Sequence, residues 1–310
     1  MELLNKSIKK KKRAQSKRDD NIFVFAILAI PILHWLTFWL YVNIDSIFLA
    51  FKIPTGDWSL SSIQSVFREI FVDHNSSLGV AMRNTFAYFI KDVLMIAVQF
   101  ILSYFLYRKI LGYKTFRIFL YLPVIIGGVV MVTIYGTMIS PDGPLYVLLQ
   151  KCGMGDKYFL ADSRYATSAI MVYTIWTGLG GNLLILAGSM AKMPIEVLEA
   201  GRLDGISAIR EMVSIIVPLC WPTISTLLIL NLTGIFSAGG PILIFDEVFS
   251  TGNMDVKTET IGYWIFEKVY RQGSSAYNEV AAAGLIFTCI GVPVILGLRW
   301  LIERIPAVEY

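Results

Sequence analysis

Six apolar runs of 20 to 26 residues constrain the fold of this chain more than any other feature of its sequence. The hydrocarbon core of a bilayer is about 30 Å thick, so a helix needs about 20 apolar residues to cross it. Charged residues make up 16% of the 310-residue chain, whereas soluble domains carry about 25%. The sequence therefore predicts an all-α polytopic membrane protein with six transmembrane helices. The predicted spans cover residues 21–43, 84–107, 118–139, 165–190, 219–238 and 280–301.

Basic residues are distributed unevenly among the segments that join these spans. Eight lie in residues 1–20, four follow the second span, three lie between Lys192 and Pro218, and two, Arg299 and Arg304, lie at or just after the end of the sixth span. Lys and Arg are enriched on cytoplasmic segments, and these 17 of the 27 are all cytoplasmic if the N-terminus is inside. We therefore expect both termini in the cytoplasm. The tail can act as a topology determinant or bind anionic lipid as a polybasic strip.

Charge and hydropathy divide the chain into successive parts. Residues 1–20 form a basic cytoplasmic tail, and residues 21–82 hold the first span and an outer loop. Residues 83–304 form the main transmembrane domain, and residues 192–218 are a cytoplasmic loop within it. Apolar residues at helical spacing in the outer loop predict a short surface helix. They are Ile63, Val66, Phe67, Ile70 and Phe71.

The stretch from Lys192 to Pro218, called the polar loop below, contains seven charged residues between two apolar spans. One charge at the centre of a membrane helix costs about 2.5–3.5 kcal/mol, so this loop must lie outside the bilayer. Asp204 and Gly205 break its helical pattern, and Asp204 is a candidate N-cap for a second helix over residues 206–216. The loop is therefore expected to form a helix–turn–helix. Apolar residues near one face of its first helix are Ile195, Leu198 and Leu203.

Two ionisable residues, Lys91 and Asp92, lie within the second predicted span. Ionisable residues at such depth pair with each other or face a cavity. Because adjacent residues on a helix point about 100° apart, we expect separate partners for the two. A structural role and a role in lining a path both remain open.

Polar and aromatic side chains within the spans make up a candidate substrate path. Hydrogen-bonding groups and aromatic faces suit a water-filled cavity that binds a polar solute. The alternative is that the aromatic residues anchor the helices at the membrane interface and that the amides join neighbouring helices. The candidates are Tyr135, Tyr173, Trp176, Asn182, Asn231 and Lys91.

No catalytic motif occurs in the sequence. It lacks a nucleotide-binding P-loop, the zinc-protease pattern H-E-x-x-H, paired C-x-x-C and the nucleophile elbow G-x-S-x-G. We therefore expect no enzyme activity, no metal site and no cofactor on this chain, and nothing indicates nucleic-acid binding. If the chain moves a solute against its gradient, the energy must come from an ion gradient or from a partner subunit.

The spacing within the polar loop resembles the EAA motif of ABC importer permeases, which reads E-A-A, three residues, G, nine residues, I-x-L-P. Glu199, Ala200 and Gly201 are followed after three residues by Gly205, and after nine more by the run from Ile215 to Pro218. Gly201 stands where the motif has its second alanine. The flanking sequence is similar to the carbohydrate-importer branch, with the maltose and lipoprotein-associated polysaccharide permeases. The matching pieces include Arg83-Asn84-Thr85, Tyr121-Leu122-Pro123 and Ser140-Pro141-Asp142-Gly143.

The resemblance implies a type I ABC importer transmembrane fold with a cytoplasmic coupling helix, in the bacterial cytoplasmic membrane. It implies a homologous second permease, an ABC ATPase dimer at the polar loop, an extracellular solute-binding protein and surrounding lipid. ATP and Mg would bind the ATPase subunits. The alternatives are an ABC permease for a non-sugar solute and an ion-coupled secondary carrier. Coupling would fall to Glu199, Ala200, Gly201, Asp204, Gly205, Ile215 and Pro218.

Overall fold

The computed structural model describes residues 23–154, 159–160, 162–237, 242–245 and 258–305. The basic tail predicted over residues 1–20 lies outside this described part. One isolated bridge joins Lys52 to Trp58, and the regular elements in the described ranges are helices. The main ones are α1 (Phe23–Ala50), α2 (Ser61–Phe71), α3 (Ser77–Tyr107), α4 (Tyr113–Ile125), α5 (Gly128–Ile139), α6 (Pro144–Leu149), α7 (Ser163–Gly178), α8 (Leu183–Ala191), α9 (Ile195–Leu203), α10 (Ala208–Thr233), α11 (Ile261–Glu267) and α12 (Tyr277–Glu303).

Within the described ranges, five helices are long and apolar enough to cross a membrane, or six if one bent pair forms a single span. The predicted all-α multi-pass fold is confirmed. Two of the predicted span boundaries shift outward: α1 extends to Ala50, and α3 begins at Ser77 rather than at residue 84. The surface helix predicted in the outer loop is also confirmed as α2, which buries Val66 and Ile70.

The bent pair is α4 and α5, which replace the predicted third span. The two segments meet at an angle of 107° instead of forming one continuous helix. Ile126 has an extended backbone, with φ −77° and ψ 138°, directly after the helix that contains Pro123. Proline removes a backbone donor and crowds the preceding turn, so the helix ends near it. The chain is therefore broken near Ile126 instead of continuing as one helix.

Helix α3 organises the packing because it runs through all three buried clusters of the described part. Its first turns, at Leu78, pack with α1, α2, α11 and α12. Tyr88 packs with α5 and α7 near its middle. Farther along, Phe100 and Tyr104 pack with α8, α9 and α10. The polar loop therefore lies at the opposite end of the molecule from α2 and α11.

Helix α1 lies at the periphery, where it packs against α12 and leaves most of its apolar side chains exposed. Such a surface is suited to lipid. The amide of Asn278 on α12 donates to the carbonyls of Leu49 and Lys52, at 3.1 and 2.9 Å. These bonds join the C-terminal end of α1 to the bundle.

Glu259 is a buried carboxylic acid in the segment before α11, outside the candidate spans. The hydroxyl of Ser77 donates to its Oε2, and its backbone carbonyl accepts from Asn84 Nδ2 at 2.8 Å. Burial raises the pKa of Glu259 to about 7, and Glu267 adds to the shift, while Ser77 and Lys268 oppose it. The folded protein therefore favours the protonated acid.

This shift predicts a fall in stability as the pH rises. The contribution of Glu259 is complete below its ordinary pKa of 4.5 and is lost as the pH rises to about 7, because the folded state holds the proton more tightly than the unfolded state. Glu259→Gln, which keeps a neutral side chain, should remove much of the difference between the Tm at pH 5 and at pH 7.5. We expect changes of roughly 2–4 °C. An unchanged pH dependence in the variant would contradict this assignment.

Candidate functional site

The polar loop folds as two helices joined by a tight turn, as the sequence predicts. Helix α9 ends at Leu203, and Gly205 adopts φ +71°. The Ile206 N–H donates to the Gly201 carbonyl at 3.2 Å. This bond, with a left-handed glycine one residue before the donor, is the Schellman arrangement that ends many helices. The turn thus fixes the direction in which the chain leaves α9.

The start of the second helix differs from the prediction. Ser207, and not Asp204, holds the N-cap position, with an extended backbone at φ −71° and ψ 155°. The Asp204 N–H donates to the Ala200 carbonyl at 3.1 Å, so Asp204 belongs to the end of α9. The turn at Gly205 lies between Asp204 and Ser207. The N-cap of the second helix is therefore three residues later than predicted.

Helix α9 has an inward and an outward face, and the predicted apolar face is wrong. Leu198 is buried against α3 and α8, whereas Ile195 and Leu203 are 60% and 89% exposed. Leu203 follows Leu198 by five residues, about 140° around the helix, so the two side chains point in different directions. Ile195 is a neighbour of Leu198 on the helix surface, but it is the first residue of α9 and stays exposed. The outward face of α9 is formed by Glu196, Glu199, Ala200 and Leu203, all exposed.

Gly201 lies where α9 approaches α10 closely. A Cβ atom at this position would lie 2.9 Å from Ile215 Cδ1. The missing methyl group therefore lets Ile215, itself half-buried, fill the space between the two helices. Pro218 follows a π-helical stretch over Met212–Ile216, and this wider hydrogen-bonding pattern precedes a residue that has no N–H to donate.

Packing and hydrogen bonds join the polar loop to the spans. Tyr104 on α3 is fully buried, and its hydroxyl donates to the Ala208 carbonyl at 2.8 Å. Arg108 donates to the same hydroxyl oxygen at 3.3 Å. Met193 and Leu198 pack into the cluster that also holds Tyr104. Because close-packed elements move as units, a displacement of α9 would carry α3 and α8 with it.

A four-residue turn, residues 179–182, separates α7 from α8 within the predicted fourth span, although the stretch from Arg164 to Ala191 is long and apolar enough to cross a membrane as one span. Gln99 on α3 donates to the Gly178 carbonyl at 2.6 Å and accepts from Asn182 Nδ2 at 2.8 Å. A Cβ at Gly180 would lie 2.2 Å from the Leu120 carbonyl oxygen, so α4 crosses in close contact with the turn. Gln99 thus links the two ends of this turn through its hydrogen bonds with Gly178 and Asn182. Our sequence reasoning missed Gln99, although a glutamine within an apolar span was the available signal.

Gln99→Leu should destabilise the protein by about 1–3 kcal/mol, because it removes two hydrogen bonds and leaves the Asn182 amide without its partner in an apolar setting. Thermal unfolding of the purified protein would show a lower Tm. Gln64→Leu, at an exposed glutamine on α2, is the matched control and should leave the Tm nearly unchanged. Equal effects of the two substitutions would contradict the role given to Gln99.

The candidate path residues fall into separate environments. Tyr135 and Tyr173 are buried in one cluster, with ring centroids 5.3 Å apart, and the Tyr135 hydroxyl donates to the Ala169 carbonyl at 2.8 Å. The ring centroids of Trp176 and Tyr135 are 6.3 Å apart, and Trp176 is 37% exposed. Asn182 is in the turn between α7 and α8, and Asn231 is half-buried on α10. Their assignment to a substrate path stays a prediction.

Lys91 lines a cavity of about 240 Å³ beside Asp92, Tyr88, Thr174 and Thr177. Lys91 Nζ forms an ion pair with Asp92 Oδ1, so the expectation of separate partners is wrong. The long lysine side chain is flexible enough to reach the neighbouring carboxylate despite their different starting directions. The cavity borders the middle of α3, where the pair occupies a central position along the helix.

Comparison with known proteins gives a consistent set of relatives, although no family model matches the chain. The arabinooligosaccharides transport system permease protein AraP of Bacillus subtilis (strain 168) is 24% identical over 269 residues, 84% of this chain and 82% of that protein. The lactose transport system permease protein LacF of Rhizobium radiobacter is 25% identical over 269 residues, 84% of this chain and 87% of that protein.

Solved structures share the fold over nearly the whole chain. A chain of a bacterial ABC transporter involved in the import of the acidic polysaccharide alginate has a TM-score of 0.78 and 19% identity, covering 94% of this chain and 99% of its own. A chain of a bacterial alginate ABC transporter in complex with an alginate pentasaccharide-bound periplasmic protein has a TM-score of 0.71 and 18% identity, covering 92% and 95%. The chain is thus similar in sequence to curated sugar-transport permease proteins and in fold to chains of bacterial ABC transporters.

Proposed function

We propose that this chain is one transmembrane half of an ATP-driven importer that moves a carbohydrate across the cytoplasmic membrane by alternating access. The outward face of α9 carries the proposal. It combines exposed Leu203, an acidic side chain at Glu199 and a rigid connection to α3. An apolar residue held rigidly in water beside charged groups suits a protein interface.

The proposed complex contains a second, homologous permease, two ATPase subunits and an extracellular solute-binding protein. The sugar-transport relatives support a carbohydrate cargo, and the sugar-bound periplasmic protein in complex with one structural neighbour supports the third kind of partner. ATP and Mg would bind the ATPase subunits. Both termini and the polar loop would lie in the cytoplasm, where the ATPase is.

In this arrangement the ATPase dimer holds the outward face of α9 in a groove. Closure of the dimer on ATP displaces α9, and the buried contacts of Leu198 and Tyr104 pass the motion to α8 and α3. Glu199 would make the charged contact, and Gly205 would set the angle between α9 and α10. Packed helices transmit such motion as rigid bodies.

An ion-coupled carrier is the second candidate, because the Lys91–Asp92 pair lines a cavity at the middle of α3. Ionisable residues within spans commonly serve ion and proton pathways. A carrier of this kind would work without any ATPase, and this difference separates it from the importer.

The test is uptake of radiolabelled oligosaccharides into proteoliposomes that contain the chain and the subunits that co-purify with it. The proposal expects accumulation that requires ATP on the side of the ATPase and binding protein on the other side. Accumulation by the purified chain without ATP, abolished by an ionophore, would overturn it in favour of the carrier. Oligopeptides tested in the same vesicles address the alternative of a non-sugar permease.

A further inference from the structure

The cavity beside α3 has a hydrogen-bonding chemistry that restricts its ligand. Its polar lining includes Thr174 and Thr177 on α7, Lys91 and Asp92 on α3, and Thr260 just before α11. Thr174 donates its hydroxyl proton to the Met171 carbonyl at 2.8 Å, and Thr177 donates to the Tyr173 carbonyl. Because each hydroxyl has a single proton, both threonine oxygens can only accept further hydrogen bonds.

Lys91 has most of its bonding capacity occupied by protein groups. Its ammonium pairs with Asp92, donates to Thr174 Oγ1 at 3.3 Å and lies 5.5 Å from the centre of the Tyr88 ring. One of its three N–H donors remains for a ligand. The carboxylate of Asp92 stays partly open, with 37% of its side chain exposed, and offers further acceptor sites. The two charges compensate each other.

Tyr88 gives a second and independent sign of a ligand. It lines the cavity and is 6% exposed, yet its hydroxyl makes no hydrogen bond to any residue in the described ranges. Buried polar groups are nearly always paired, so an unpaired one at a cavity calls for a partner.

We propose that this cavity is a subsite for one uncharged, polyhydroxylated sugar ring of the transported carbohydrate, an inference that rests on the proposed importer function. Ring hydroxyls can supply the protons that Asp92, Thr174 and Thr177 accept. A sugar carboxylate can only accept, and it would meet the negative charge of Asp92. Charge-assisted bonds from hydroxyl to carboxylate are also the stronger kind.

This specificity does not follow from the fold. A solved chain with the same fold belongs to a transporter of an acidic polysaccharide, so the architecture accommodates charged sugars. The compensated pair of Lys91 and Asp92 supplies the discrimination here. Substituting Asp92 by asparagine would leave the lysine charge uncompensated and make the cavity favourable to an anion.

The experiment is equilibrium dialysis of the importer, purified with its partner subunits but without the soluble binding protein. The probes are three neutral trisaccharides (maltotriose, arabinotriose and raffinose) and the acidic trisaccharide trigalacturonate. We expect at least one neutral trisaccharide to bind tighter than trigalacturonate. Asp92→Asn should lower the neutral-to-acidic affinity ratio by at least about tenfold. Because both affinities are measured on the same preparation, their ratio does not change if part of the variant protein is unfolded.

Thr177→Val removes one acceptor from the cavity and should weaken neutral trisaccharide binding by about three- to tenfold. Thr288→Val is the matched control, since Thr288 makes the same kind of bond to its own helix, to Gly284 at 2.7 Å, on an exposed face of α12. The control should bind as the unmodified protein does.

Three results would overturn the proposal: no neutral trisaccharide binds, trigalacturonate binds as tightly or tighter, or Thr177→Val and Thr288→Val behave alike. Failure of the importer function itself is seen separately, as the absence of ATP-driven uptake in proteoliposomes. Binding measured by dialysis needs no ATP, so the two failures are distinguishable.

Discussion

Glu199→Lys is expected to reduce ATP-driven uptake about 30-fold or more while leaving the Tm of the permease nearly unchanged. Glu199 is exposed on the outward face of α9, so the substitution removes no buried contact within the chain. At the proposed ATPase contact it replaces an attraction by a like-charge repulsion, and such juxtapositions cost several kcal/mol. A loss of about 2 kcal/mol already corresponds to about 30-fold. Uptake and co-purification of the ATPase measure the effect.

The matched control is Glu303→Lys, which makes the same charge change at an exposed glutamate at the end of α12. Glu303 accepts from Arg299 at 2.8 Å, and an exposed pair of this kind contributes about 0.5 kcal/mol or less. Uptake by this variant should remain close to that of the unmodified importer. If Glu199→Lys imports as well as Glu303→Lys does, the outward face of α9 is not the ATPase contact.

Gly205→Val should lower uptake by about tenfold, whereas Gly205→Asn should retain most of it. Gly205 has φ +71°, and no atom lies within 4 Å of the position that a Cβ would take. The strain therefore comes from the backbone alone, and it costs about 1–3 kcal/mol for a residue that rarely adopts this conformation. Valine is β-branched and relieves the strain by changing the turn, while asparagine tolerates a positive φ.

The comparison of these two variants isolates the geometry of the turn, because both add a side chain at the same exposed position. Uptake should follow the order glycine, asparagine, valine, and the ATPase should still co-purify with all three. Equal uptake by the valine and asparagine variants would show that the angle between α9 and α10 has no part in coupling.

The transmembrane plan was predictable because long apolar runs leave a chain few alternatives in a membrane. The helix ends were less predictable. Helix α3 begins seven residues before the predicted span, at Ser77, where the Ser76 hydroxyl accepts from the Gly79 N–H. Arg83 interrupts the apolar run, so hydropathy placed the start of the span after it, although the helix continues back through residues 78–82. The turn at Gly205 was predictable because its conformation is local.

Contacts between distant segments were beyond sequence reasoning. Gln99 binds the end of α7 at Gly178, 79 residues away, and only the crossing of α3 with α7 brings them together. The pairing of Lys91 with Asp92 depends on the rotamers that the surrounding cavity permits. Likewise, the exposure of Leu203 depends on which face of α9 meets α3. No local sequence pattern predicts these contacts, because they depend on how the helices pack against one another.

Cross-linking from Leu203 tests the central claim most directly. The chain would carry Leu203→Cys, with Cys152, Cys220 and Cys289 replaced by alanine, and a thiol-linked photoreactive group in the assembled importer. Leu111→Cys is the control, since Leu111 is 98% exposed in the turn between α3 and α4, at the same end of the molecule. The account predicts an adduct between residue 203 and the ATPase, with a yield that changes when ATP is added, and little adduct from residue 111. Absence of an ATPase adduct at residue 203, or equal yields from both positions, would contradict it.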